Sequence, residues 1–110
     1  MLRVAVCVSG GGTNLQALID AIEQGSVTNA QIVGVLSNNA NARALERAAE
    51  HGIFSVAVSV KDYDNREAFE KAMLEKLCLM EPDLIVLAGF LVKIPKEMVR
   101  HFQNKIINIH

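Results

Sequence analysis

Cysteine is scarce in this sequence: of 110 residues only Cys7 and Cys78 are cysteines, far apart and each inside an apolar run. Neither has a second Cys or a His at metal-ligand spacing, which argues against a zinc site. The pair reads as two buried, reduced thiols of a cytoplasmic protein. Aromatic residues are few as well, 5 % against 51 % hydrophobic residues overall, so the expected core is aliphatic. A disordered chain would be poorer in apolar residues. Excess charge of one sign is also missing. Eleven Lys and Arg face 12 Asp and Glu, a formal charge of −1 that argues against a broad nucleic-acid face while allowing a local anion site. No stretch approaches the roughly 20 apolar residues of a membrane span. The apolar amino-terminal run is short like a signal-peptide core, but its charged leader is minimal and the glycines behind it fit a strand turning into a helix. What remains is one domain's worth of chain, residues 1–110. A domain of this size buries roughly 60–70 % of its unfolded surface and folds without staples.

Residues 4–8 form an unbroken apolar run that stops at Ser9-Gly10-Gly11-Gly12. Runs without alternation mark strands covered on both faces, as in a parallel sheet. Leu15, Leu18, Ile19 and Ile22 then recur at helical spacing up to Gly25. Residues 31–36 predict a second strand, Ser37-Asn38-Asn39 a polar turn, and residues 41–51 an Ala-rich helix stopped by Gly52. A third strand is expected over residues 54–58. Asp64-Asn65-Arg66-Glu67 has the spacing of a capping box with Asp64 as the cap and Tyr63 stapled to Ala68. Phe69, Ala72, Met73, Leu77 and Met80 make the buried stripe of that helix, and Glu81-Pro82 ends it. Residues 84–88 are a second unbroken strand, turning at Gly89. A short helix from about Pro95, carrying Met98, Val99 and Phe102, leads into a last strand at 106–110. No repeat, low-complexity tract or interdomain linker interrupts the series.

Alternation of this kind predicts an α/β fold, a parallel sheet with right-handed crossovers and helices on both faces. Such sheets bind ligands at the carboxyl ends of their strands. That singles out residues 9–14, 37–39 and 89–94, and Asn108 with His110.

Ser9-Gly10-Gly11-Gly12-Thr13-Asn14 follows a strand and opens a helix. Free N–H groups and the dipole at a helix start attract anions, and glycines let a phosphate approach the backbone. The run reads as a phosphate cradle or as a tight turn alone. A dinucleotide fingerprint would need Gly where Leu15 stands and an acid after the second strand, where Ser37-Asn38-Asn39 offers none. A P-loop would need Gly-Lys-Ser or Gly-Lys-Thr, which is absent. A phosphomonoester is the ligand class that remains. At the other end, Asn108 and His110 share one face of their strand, roughly 7 Å apart. An amide donating to a developing oxyanion beside a titratable imidazole suits acyl transfer, although polar residues closing a strand have the same pattern. His51, at a helix end where a cation suits the dipole, and His101, in a polar stretch, read as structural or solvated.

Four segments stand in order: residues 8–16 (Val-Ser-Gly-Gly-Gly-Thr-Asn-Leu-Gln), 37–39 (Ser-Asn-Asn), 87–91 (Leu-Ala-Gly-Phe-Leu) and 106–110 (Ile-Ile-Asn-Ile-His). Together, over residues 2–110, they resemble the phosphoribosylglycinamide formyltransferases, also called glycinamide ribonucleotide transformylases, of purine biosynthesis. The resemblance implies a Rossmann-like, formyltransferase-type sheet and formyl transfer from 10-formyltetrahydrofolate, the co-substrate, to the amine of glycinamide ribonucleotide. It implies no metal. By the same resemblance Gly12, Thr13 and Asn14 hold the 5′-phosphate, Asn108 and His110 are the catalytic pair, and Arg66, Leu91, Val92 and Ile94 bind folate, Arg66 near its tail. The amine would attack the formyl carbon, the Asn108 amide would meet the oxyanion, and His110 would assist by charge or proton transfer.

Two departures qualify the likeness. The family often has Arg where this chain has Val92, with Lys93 adjacent, so contacts through backbone groups survive and those of that side chain do not. The family also continues past the His with Pro-Ser-Leu-Leu-Pro and, later, a catalytic Asp that has no counterpart here. The expectation is an amino-terminal half truncated at its histidine, inactive or weak alone, associating with the other half or forming a homodimer through an exposed apolar face or strand edge. Formyltetrahydrofolate deformylase and methionyl-tRNA formyltransferase share the Asn-His arrangement. The Gly-Gly-Gly-Thr-Asn run favours a ribonucleotide phosphate over either, and a charge of −1 suits a tRNA poorly. A phosphate-binding module without catalysis is the alternative outside enzymes.

Overall fold

The unbroken apolar runs become the strands at the centre of a parallel sheet. The structure, a computed structural model, describes residues 1–109. Its elements alternate: β1 (Leu2–Cys7), α1 (Thr13–Glu23), β2 (Ala30–Ser37), α2 (Arg43–Glu50), β3 (Ser55–Ala57), a 3-10 turn at Val60–Asp62, α3 (Arg66–Met80), β4 (Leu84–Ala88), α4 (Lys96–His101) and β5 (Ile106–Ile109). The strand order is β3-β2-β1-β4-β5, with every neighbouring pair parallel.

Alternate residues of the central strands serve two cores, which is why their sequence does not alternate with polar residues. Val4, Val6 and Val86 pack with Leu15 and Ile19 of α1 and Ala44 and Ala48 of α2. Ala5, Cys7, Ile85 and Leu87 pack instead with Phe69, Met73 and Leu77 of α3 and Met98 of α4. Helices therefore cover both faces, as the pattern predicts. Burying each large aliphatic side chain here stabilises the domain by about 1.5–3 kcal/mol. One extra residue on β2 shifts its register against β1, where Val4 faces Ile32 but Ala5 faces Gly34. Gly34 leaves room there for Met80: a Cβ would stand 2.5 Å from its Sδ, so a larger residue would require that side chain to move.

Several expectations change in detail. Asn65, not Asp64, caps α3: its backbone is extended and its Oδ1 accepts from the Ala68 N–H at 2.8 Å. The helix begins at Arg66, so the cap that reaches its third residue must sit one position later than the Asp. Tyr63 meets the ring of Phe69, 6.3 Å between centroids. The third strand is three residues long, and Phe54, expected within it, is exposed. Val99 of α4 is likewise exposed. At the far end of α3, Glu81 turns left-handed (φ 50°), and Arg3 donates to the Met80 and Glu81 carbonyls at 2.6 and 2.7 Å. A cation borrowed from β1 thus closes a helix whose own last turn has no basic residue. Cys7 is fully buried and burial pushes its thiol up to about 12. Cys78 departs from the expected burial: it is half-buried, with Sγ 3.4 Å from His101 Nε2. Its thiol is also raised, by burial first and by Glu75 second. Among the described residues, no helix is long and apolar enough to cross a membrane.

Candidate functional site

The carboxyl ends of β1, β2 and β4 deliver three loops to one edge of the sheet, and Ser9 joins them. Its hydroxyl donates to Asn38 Oδ1 at 2.6 Å and accepts from the Leu91 N–H at 2.8 Å. Its own N–H donates to the Gly89 carbonyl at 3.2 Å. Gly89 takes a positive φ of 67°, which a glycine turns through without cost. On the other side the Ser59 hydroxyl donates to the Asn38 carbonyl at 3.2 Å. Ser9 and Ser59 are both buried, so these bonds replace water that cannot reach them.

The glycine turn lies directly behind Ser9. Gly12 is the residue before α1, left-handed at φ 77°. A Cβ there would stand 2.8 Å from the Cβ of Ala44, so both conformation and space demand glycine. Gly10 and Gly11 differ: nothing lies within 4 Å of where their Cβ atoms would be, and that side of the turn is open. The start of α1 has no side-chain cap and no acidic residue in its first turn. Its leading N–H groups therefore have no side-chain cap and no nearby acid of their own helix, and with the positive end of its dipole they suit an anion. Thr13 and Asn14, both exposed, stand in that first turn. Leu15, where a dinucleotide turn would have glycine, is fully buried.

Asn108 lies two strands away. It pairs in register with Leu87 at the carboxyl end of β4, and its side chain is exposed. Its partner in the expected pair, His110, lies outside the described residues. The four folate candidates differ in their surroundings. Leu91 is 85 % exposed, so it is not ordinary core, and its backbone is tied to Ser9. Val92 and Ile94 are half-buried against the α3 side of the sheet. Ile94 alone of the four lines a groove of about 550 Å³ between α3 and residues 93–98, with Glu67, Glu70 and Leu74 opposite. Arg66 is exposed, paired with Glu70 at 3.1 Å and lying 5.3 Å from the Phe69 ring centroid. His51 forms a pair with Glu23 at 2.7 Å, and His101 packs edge-on against Phe102, in keeping with structural roles for both. Among the described residues, no three His, Cys, Asp or Glu side chains converge to hold a metal ion.

Sequence reasoning missed Ser9 as the joint of the three loops, and Arg47, which donates to the Gly11 carbonyl at 2.7 Å. The signal for Arg47 was present. Ala44, a small residue on the buried face of α2, lets that helix approach the turn closely, and Arg47 lies three positions on. Nothing local to Ser9 distinguishes it from any serine closing a strand.

A parallel sheet with an uncapped glycine turn after its first strand and an asparagine two strands away places the chain in a class: it belongs to the formyl transferase family, whose amino-terminal model matches residues 2–110. The trifunctional purine biosynthetic protein adenosine-3 of Drosophila pseudoobscura pseudoobscura is 44 % identical over 109 residues, 98 % of this chain and 8 % of that protein. The phosphoribosylglycinamide formyltransferase of Escherichia coli (strain K12) is 35 % identical over 109 residues, 99 % of this chain and 51 % of that enzyme. Among solved structures, glycinamide ribonucleotide transformylase 1 from Geobacillus kaustophilus shares the fold with a TM-score of 0.93 at 36 % identity, over 100 % of this chain and 58 % of that one. The chain spans about half the length of these single-enzyme relatives and a small part of the trifunctional one.

Proposed function

We propose that this chain carries the nucleotide-binding and oxyanion-stabilising part of a phosphoribosylglycinamide formyltransferase, moving the formyl group of 10-formyltetrahydrofolate to the amine of glycinamide ribonucleotide. The observation that carries the reading is the sheet order: only β4 stands between the glycine turn after β1 and Asn108 on β5. Two strand spacings are about 10 Å. A ribose 5-phosphate bearing a glycinamide arm bridges such a gap, with its phosphate on the turn and its amine beside Asn108.

In this reading the phosphate sits at Gly12, Thr13 and Asn14, where α1's free N–H groups and dipole neutralise it. The amine attacks the formyl carbon, and the new carbon–nitrogen bond forms as the carbonyl electrons move onto oxygen. Asn108 donates its amide N–H to that oxygen, an interaction stronger in the tetrahedral state than before it. Collapse breaks the bond to the folate nitrogen, which takes up the proton the amine gives away. His110, which matches the family's histidine, serves that transfer. Leu91, Val92 and Ile94 offer the folate ring backbone groups and apolar surface. Arg66, whose present ion pair is exposed and weak, is free to meet carboxylates of the folate tail.

The test is a formylation assay with glycinamide ribonucleotide and 10-formyltetrahydrofolate. The chain alone is expected to bind the ribonucleotide and turn over little. Adding the part of the Escherichia coli relative that this chain does not match should restore transfer. A folded complex that binds the ribonucleotide without formylating it leaves a phosphate-binding module. Release of formate without any need for the ribonucleotide points to a deformylase instead.

A further inference from the structure

We infer that Arg47 is a positioning residue that holds the glycine turn in its anion-binding shape, an inference that rests on the phosphate reading of that turn. Three successive residues of the turn are fixed by α2. The Ala44 N–H donates to the Gly10 carbonyl at 3.2 Å, and Arg47 Nε donates to the Gly11 carbonyl at 2.7 Å. Gly12 lies so close to Ala44 that a Cβ would come within 2.8 Å of the alanine's own.

Peptide planarity converts these contacts into the direction of the N–H groups. In a trans peptide the carbonyl of one residue and the N–H of the next point opposite ways. Drawing the Gly10 and Gly11 carbonyls toward α2 therefore turns the Gly11 and Gly12 N–H groups away from it, together. Successive N–H groups aimed at one concavity form an anion nest.

The guanidinium is itself held. Its Nη1 donates to Gln16 Oε1 at 3.2 Å, while Gln16 Nε2 donates to Asp20 at 2.9 Å and lies 3.3 Å from His51 Nε2. His51 is anchored in turn by Glu23. Both acceptors of Arg47 are neutral oxygens, and among the described residues it forms no ion pair. Its charge thus stands behind the turn without a direct carboxylate partner among the described residues, where it adds to the pull on an anion.

The full chain, labelled with nitrogen-15, tests this by titration with inorganic phosphate and with glycinamide ribonucleotide while the Gly11, Gly12 and Thr13 amide signals are followed. In Arg47→Ala, binding of both probes should weaken about 10-fold, the scale of a lost charge-assisted hydrogen bond. The Gly12 amide should also shift in the ligand-free protein. Arg47→Lys keeps the charge but lacks the planar fork that reaches Gly11 and Gln16 together, and should recover part of the loss; it carries the test if the alanine variant does not fold. Wild-type affinity and an unmoved ligand-free Gly12 signal in the variants overturn the role of Arg47 and leave the phosphate reading intact. Loop amides of the unaltered chain that respond to neither probe overturn the phosphate reading. The ligand-free shift still judges the clamp by itself in that case.

Discussion

On the β1–β2 side of the carboxyl edge, α2 holds the glycine turn at three consecutive residues and Ser9 is bonded to both neighbouring loops. On the β4–β5 side, Leu91, Ile107 and Asn108 stand exposed, and Leu91 is fastened through its backbone N–H. The difference follows from what each side presents. A nest of N–H groups exists only when several peptide planes are oriented together, so it has to be built by packing. A single side-chain amide needs only the right strand register, and Asn108 has that from its pairing with Leu87. One side is an assembled structure, the other a set of side chains displayed on a frame.

Substitutions on the two sides should therefore fail in different ways. Asn108→Ala has the largest expected effect, a loss of about 100- to 1,000-fold in formyl transfer in the complemented enzyme, with stability within about 0.5 kcal/mol of the parent. A large fall in the urea midpoint would instead make Asn108 part of the packed structure and erase the contrast. Gly12→Ala should show the reverse pattern. A left-handed alanine jammed against Ala44 costs about 3 kcal/mol, read as a lower denaturation midpoint, and phosphate affinity should fall with it. Ser9→Ala tests the joint between the sides. It strands the Leu91 N–H and Asn38 Oδ1 at a cost of about 1–3 kcal/mol, and hydrogen exchange at Leu91 should quicken. Leu91→Ala should be the mildest: stability within about 0.5 kcal/mol, with any change confined to folate affinity measured by calorimetry.

Much of this frame was legible from local pattern. The run at 84–88 is the fourth strand to the residue, and Phe69, Met73, Leu77 and Met80 are buried as the helical spacing predicts. The family resemblance, carried by four ordered segments, agrees with the match over residues 2–110. Errors cluster where neighbours decide. Asp64 and Asn65 are both good caps, and the second is used because the helix starts at Arg66. Cys78 looks buried from its apolar neighbours but is half-buried in the last turn of α3, beside His101.

The sequence by itself determined the elements and the conformational licences: apolar runs for strands covered twice, helical periodicity for the layers, and glycine where the turn into α1 goes left-handed. These are properties of neighbours along the chain, whose sterics and patterning do not wait for the rest of the molecule. Tertiary structure decided which residues shape the site. Arg47 reaches Gly11 across 36 positions and Leu91 reaches Ser9 across 82, so no local pattern encodes either bond. Parallel strands made this necessary: each returns through a helix before the next begins, and their carboxyl ends meet only once the sheet has closed.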